Sequence, residues 1–322
     1  MNLTILIPSY DGFQHLEAAI TSVKVAANRC LPANIRIQVA DNGSSSVAAS
    51  RIAEICLEQD VPLMRFEQNL GYDSNIQRAI SLVETSHVWL LGDDDLLAQG
   101  ALESICEIED IDELDFILAP PVFFTDGASP PDVQASTQAL VHFKDGADLL
   151  KSTLWASSAL SSHIWKVSTF RGINLDNFKG SDWVHFAALS MLSSNKTSKV
   201  GSMNAGLVYV RVGVSRWETH FGSAYISGLK QIDVVRRSAD ESVYAKFRQA
   251  RHATNLHDAF LLTADLSPET RKAAADLALK TLGRTWRVLL LDIPALYAPS
   301  TLKYLVLRIG KFARKLAARL RK

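Results

Sequence analysis

The chain has 322 residues, 48% hydrophobic and 21% charged, which suits a globular protein with a sizeable core and one and a half to two domains. Its 34 basic and 34 acidic residues cancel, so bulk charge gives no argument for a nucleic-acid partner. Cys30, Cys56 and Cys106 form no CxxC pair, which supports neither a disulfide framework nor a zinc knuckle and points to a reducing cytoplasm. The opening MNLTILIPSY lacks the basic and long apolar regions of a signal peptide and reads as a first strand. No run reaches the roughly 18 apolar residues of a spanning helix, so a soluble or surface-bound protein is expected.

In chain order, LTILI (3–7) is a short apolar run, as in a strand buried on both faces. Leu16, Ala19, Ile20 and Val23 then recur at helical spacing. IRIQVAD (35–41) is the next strand and ends in the turn DNGSSS. Ile52, Ile55 and Cys56 line a second helix. PLMRFEQ (62–68) is a third strand, followed by the loop NLGYDSN. Ile76, Ala79, Ile80 and Val83 form a third helix, and HVWLL (87–91) a fourth strand. Strand and helix alternating in this way imply an α/β fold with a parallel sheet covered on both faces.

DFILAP (115–120) predicts a further strand, and the Pro, Gly, Ser and Asp content of PVFFTDGASPPDVQAS a mobile loop. A short helix is expected near GADLLKSTLW and a strand near SALSSHIW. Another helix begins within GSDWVHFAALSML, with Ser181 or Asp182 near its cap. From about residue 216 the pattern is mainly helical.

Ligands of such sheets bind beyond the carboxyl ends of the strands, where this sequence places PSYD, ADNGSSS and GDDD. Hard divalent cations take oxygen ligands, commonly one or two carboxylates plus substrate phosphates. One aspartate is explained by a helix cap; Asp93, Asp94 and Asp95 in a row at a strand end are better explained by metal-diphosphate binding. A dinucleotide-binding dehydrogenase would need GxGxxG after the first strand, and IPSYDG is not that.

The ordered set ILIPSYDGFQHLEAAITSV, VADNGSSS, NLGYDSN and VWLLGDDDLL resembles the nucleotide-binding half of an inverting family 2 glycosyltransferase. Its flavour is that of the abequosyltransferase-like branch of bacterial surface polysaccharide synthesis. The resemblance covers about residues 3 to 120 and implies the GT-A fold, a Rossmann-like, mostly parallel sheet flanked by helices. It implies a transferase domain over 1–215, divided into a nucleotide-sugar-binding half (1–120) and an acceptor-binding half (121–215). A helical region over 216–322 would follow. Carried over by position, Pro8, Ser9 and Tyr10 line the nucleotide pocket, Asp41 bonds the base, and Asn69, Gly71 and Asn75 border the nucleotide. Asp93 approaches the ribose, while Asp94 and Asp95 hold Mn²⁺ or Mg²⁺, with Asp94 the preferred ligand. Many members have aspartate where this chain has Gly92, which leaves the register within the run open.

The resemblance further implies a nucleotide-diphosphate sugar donor and a saccharide acceptor, polyprenyl-linked in comparable bacterial enzymes. The family's catalytic base is an acid near the start of a helix in the second half of the domain, often in an ED pair. Asp182 in KGSDWVHFAAL occupies that place, with Ser181 where the glutamate would stand and His185 in reserve. An ordinary first-turn acid is the competing reading. His163, His220, Arg211 and Arg216 are candidates to approach the diphosphate.

Residues 301–322 contain eight Lys or Arg residues and no acid. On a helix they form one basic and one apolar face, the pattern of a surface-bound helix on an anionic membrane. A peripheral location on the inner face of the bacterial inner membrane is therefore expected. The alternative is a catalytically inactive nucleotide-binding scaffold of a polysaccharide assembly complex.

Overall fold

The apolar run near the amino terminus forms β1 (Asn2–Ser9), in which every residue after Asn2 is buried. The computed structural model describes residues 2–28, 34–130, 139–204, 206–212, 221–252, 267–284, 288–289 and 293–297. Helix α1 (Leu16–Ala27) buries Leu16, Ala19, Ile20 and Val23, the stripe its spacing dictates. Strand β2 (Asn34–Asp41) leads to α2 (Ser46–Glu58), β3 (Leu63–Arg65), α3 (Tyr72–Ser81) and β4 (His87–Leu90). These four strands are parallel, in the order β3-β2-β1-β4. Strand β3 is shorter than its apolar run suggested, because the chain leaves the sheet at Phe66.

The aspartate run follows β4 and passes into β5 (Leu96–Leu97) and α4 (Ala101–Cys106). Strand β6 (Phe116–Leu118) joins the main sheet, whereas β7 (Pro121–Thr125) occupies the place where a mobile loop was expected. It pairs in parallel with β11 (Val208–Val212), which pairs antiparallel with β5, making a second, three-stranded sheet. Proline is tolerated there because it opens the strand. Residues 131–138, the rest of that expected loop, lie outside the described residues.

Strands β8 (Leu140–Phe143), β9 (His163–Lys166) and β10 (Val200–Met203) complete an eight-stranded sheet ordered β3-β2-β1-β4-β9-β6-β10-β8. Strand β9 runs antiparallel to both neighbours, β4 and β6. Helices α5 (Gly146–Thr153), α6 (Val167–Gly172) and α7 (Val184–Leu192) accompany these strands. The core unites Ile5, Ile7, Val39 and Trp89 of the strands with Leu16, Ile20 and Ile52 of the helices.

The chain divides into two compact units, residues 1–213 with 238–240, and residues 214–237 with 241–322. In the second unit α8 (Phe221–Ser238), all but its last residue, and α9 (Glu241–His252) are followed by a helix over Pro268–Leu282. The side chain of Ser267 caps that helix by accepting from the Thr270 N–H. Among the described residues no helix is long and apolar enough to cross a membrane. The basic segment 301–322 lies outside the described residues.

Candidate functional site

Parallel pairing in register sets Ser9 of β1 beside Asp41 of β2, and β4 on the other side of β1 delivers the aspartate run to the same rim. The Ser9 hydroxyl donates to Asp93 Oδ2 at 2.6 Å. A Cβ on Gly12 would lie 1.9 Å from that oxygen, so the bare backbone of Gly12 is what makes room for Asp93. Pro8 is buried in β1 opposite Ala40, and Tyr10 stands at the rim, 41% exposed.

Asp41 is fully buried. Its Oδ1 accepts from the N–H of Ser44 at 3.1 Å and from the Ser44 hydroxyl. Its Oδ2 has no hydrogen-bond partner, and the nearest cation is Arg65 Nε at 3.7 Å. A buried carboxylate oxygen without a donor is costly, and its position fits one that receives its donor from a ligand. Gly43 makes the turn after it: φ is +72°, and an added Cβ would meet the Gln68 backbone at 2.5 Å.

Asn42 holds the loop that carries Asn69 and Gly71. Its Nδ2 donates to Asn69 Oδ1 at 2.9 Å and to the Gly71 carbonyl at 3.3 Å. Its Oδ1 accepts from Arg78, whose guanidinium lies 3.5 Å from the centre of the Phe66 ring. Asn75 is buried in the first turn of α3 with its side-chain oxygen unpartnered. Asn42 was legible only as part of a turn, and its role as a bracket needed the 27-residue separation from Asn69 to be closed by the fold.

The aspartate run is braced from three elements. Ser9 holds Asp93. Ser161, two residues before β9, accepts from the Gly92 N–H at 2.8 Å and donates its hydroxyl to Asp95 Oδ2. Arg211 of β11 donates its backbone N–H to Asp95 Oδ1 at 2.9 Å and its Nε to the Asp94 carbonyl at 2.9 Å. The Arg211 guanidinium also pairs with Asp126 at 2.8 Å and lies over the Phe124 ring. Arg211 thus shapes the run. No sequence signal marked Ser161.

Withdrawal from water, reinforced by the neighbouring carboxylates, raises the Asp93 carboxyl to about 8. The same causes, burial first and then Asp94, raise Asp95 to about 7 against the opposing bonds from Ser161 and Arg211. Buried and crowded without a neutralising cation, these carboxyls favour protonation, and their oxygens fit a hard divalent cation that would take the protons' place. Both oxygens of Asp95 accept from protein donors. Among the described residues no three His, Cys, Asp or Glu side chains form a metal-holding group; a site completed by phosphate oxygens needs fewer.

Ser181 and Asp182 stand just before the α7 cap, where the Ser181 hydroxyl accepts from the Trp183 N–H at 3.0 Å. The helix begins at Val184, its N-cap Trp183 makes no side-chain cap, and Asp182 precedes it in a left-handed conformation, φ +63°. The capping carboxylate is Asp73 from α3, which accepts from the N–H groups of Asp182 and Val184. His185 and His163 are buried and their rings meet edge to face at 5.0 Å. Burial lowers His185 to about 4 and His163 well below the usual histidine value, so both are neutral. His163 is held by the Ser157 carbonyl and the Trp165 indole N–H. Neutral and buried, it carries no charge to a diphosphate. Arg216 and His220 lie outside the described residues.

A 104-residue stretch is 29% identical to abequosyltransferase RfbV of Salmonella typhimurium, covering 32% of this chain and only 31% of that relative. The solved S. aureus TarS 1–349 in complex with UDP-GlcNAc superposes with a TM-score of 0.61 at 12% identity, over 92% of this chain and 89% of that one. The mannosyltransferase PcManGT of Pyrobaculum calidifontis, in complex with GDP-Man and Mn²⁺, gives 0.56 at 12% identity, over 93% and 86%. At such identities the likeness is one of fold, the GT-A arrangement of a mostly parallel sheet flanked by helices. Residues 4–182 match the family described as glycosyl transferase family 2. That match takes in more than half of the chain, which belongs to this glycosyltransferase family.

Proposed function

We propose that the protein transfers a sugar, with inversion, from a nucleoside diphosphate donor to a hydroxyl of a saccharide acceptor in surface polysaccharide synthesis. The observation that carries this is the braced aspartate run at the carboxyl end of β4, beside the unpartnered Oδ2 of Asp41. The relatives support it: one is named an abequosyltransferase, and others are described with UDP, UDP-GlcNAc or GDP-Man and Mn²⁺.

In this reading Asp41 accepts a hydrogen bond from the nucleobase. Pro8, Ser9, Tyr10, Asn69, Gly71 and Asn75 border the nucleotide, and Asp93 the ribose. Asp94, with Asp95 behind it, would hold Mn²⁺ or Mg²⁺, which when bound neutralises charge on the departing diphosphate. Asp182 takes the proton of the acceptor hydroxyl as its oxygen bonds to the anomeric carbon. The bond from that carbon to the diphosphate oxygen breaks in the same step, so the configuration inverts. A polyprenyl-linked acceptor and attachment of residues 301–322 to the inner face of the membrane complete the reading.

The test is thermal stabilisation by UDP, dTDP, GDP and CDP, each with and without Mn²⁺. At about 100 Kd of free ligand the native state gains about 2.7 kcal/mol. One nucleotide is expected to stabilise the protein only with the metal, and Asp94→Ala to abolish the effect. Stabilisation by none of the four sinks the proposal.

A further inference from the structure

We infer that Asp73 is a positioning residue for the proposed base: its carboxylate fixes the backbone on which Asp182 sits. The inference rests on Asp182 being the base, and goes beyond it by naming what holds the base in place. Asp73 is 2% exposed. Its Oδ2 accepts from the Asp182 N–H at 2.9 Å and the Ser181 hydroxyl at 3.2 Å, and its Oδ1 accepts from the Val184 N–H at 3.0 Å. Three donors within four residues converge on one carboxylate supplied from more than a hundred residues earlier in the chain.

The bonds fall where the backbone most needs them. The first N–H groups of a helix have no partner within it, and α7 gets no cap from its own N-cap side chain. Asp182 is left-handed, as is Gly180 two residues before it, and a non-glycine residue held so costs on the order of 1–3 kcal/mol and persists only where its surroundings over-determine it. A carboxylate at a helix start also meets the positive end of the helix dipole.

Tyr72 adds a second anchor on the same turn of α3. The His185 Nε2–H donates to the Ser158 carbonyl at 2.9 Å, so Nδ1 is the acceptor and receives the Tyr72 hydroxyl at 2.9 Å. Both anchors follow directly on Gly71, whose carbonyl is tied to Asn42. The loop proposed to border the nucleotide and the segment proposed to carry the base are therefore two ends of one short, hydrogen-bonded connection. Donor and base are kept in mutual register through α3.

Asp73→Asn tests this, because its amide NH₂ faces N–H and O–H donors in place of an acceptor. Turnover is read as nucleoside diphosphate released to water from UDP-glucose, dTDP-glucose, GDP-mannose or CDP-glucose, with Mn²⁺. A loss of about 100-fold in kcat is expected, the scale of a misplaced reacting group. The donor KM and the nucleotide-plus-metal stabilisation are expected to change less than about twofold. Ser181→Ala, which removes one donor of the three, is expected to lower kcat several-fold with KM unchanged, and serves if Asp73→Asn does not fold. Loss of stability or of donor binding with kcat intact in both variants overturns the inference, since a purely structural residue behaves that way. Asp182→Asn separates the two levels. If it retains turnover, the base assignment fails and this inference with it; if it abolishes turnover while both other variants keep their kcat, only the inference fails.

Discussion

Gly12 is glycine because the Asp93 carboxyl fills the space a methyl group would need. Gly12→Ala is therefore expected to push Asp93 off Ser9 and to weaken nucleotide-plus-metal stabilisation markedly. The fold should survive, because the atom in the way is the end of a side chain; overpacking of this kind costs about 1–3 kcal/mol. Gly172→Ala, where an added methyl meets nothing within 4 Å, is the control, and equal effects of the two on thermal shift would refute the steric account. At this scale the sequence made Ser9, Asp41 and the aspartate run legible, because each ends a strand and parallel strands end together. Asp73, Asn42 and Ser161 were not legible. Each works through a hydrogen bond to a residue 27 to 109 positions away, and nothing in a local pattern encodes the partner.

Elements were legible where burial imposes a period. The first four strands carry short apolar runs and the three helices apolar residues at a spacing near 3.6, and all were placed within a few residues. Strand β7 was missed because Phe124 alone of its five residues is buried and the Asp, Gly, Ser and Pro residues that follow it dominate the composition of the stretch. Strand β9 was expected as a strand, but its insertion between β4 and β6 is a property of the whole sheet. The segment 301–322 was read from its two-faced pattern alone, and that reading has a direct check. Removing residues 301–322 is expected to move the protein from the membrane to the soluble fraction and to abolish binding to vesicles containing anionic lipid. Each cation near such a surface contributes about 1 kcal/mol. Unchanged sedimentation of the truncated protein with membranes rules the attachment out.

At the scale of the whole molecule, the aspartate run makes stability depend on pH and cation together. Asp93 and Asp95 have folded values of about 8 and 7, above the unfolded value near 4. Between these limits the folded state binds more protons than the unfolded one, so stability falls as pH rises. His87, His163 and His185 are lowered by burial, so their contribution is lost as pH falls through about 6.5, where the unfolded histidines are half protonated, and is nearly constant only above about pH 7.5. The interval from about pH 7.5 to 8.5 thus isolates the carboxylates, and the metal-free protein is expected to lose about 1 kcal/mol across it. Denaturant titrations at both ends, with and without Mg²⁺, provide the measurement. A cation should flatten the slope, and an equal slope with and without it would detach the effect from metal binding.

The antiparallel strand β9, lodged between β4 and β6, also dictates the order in which the molecule can be completed during synthesis. When β4 leaves the ribosome it can pair with β1, but its other neighbour begins only at His163. At about 5–20 residues per second, several seconds pass before that strand exists. For that time Val88, Trp89 and Leu90 belong to an open sheet edge, the kind of template on which chains aggregate. The proposed nucleotide-binding half is thus contiguous in sequence and still unfinished when its last residue is made: its central strand waits for the half that follows.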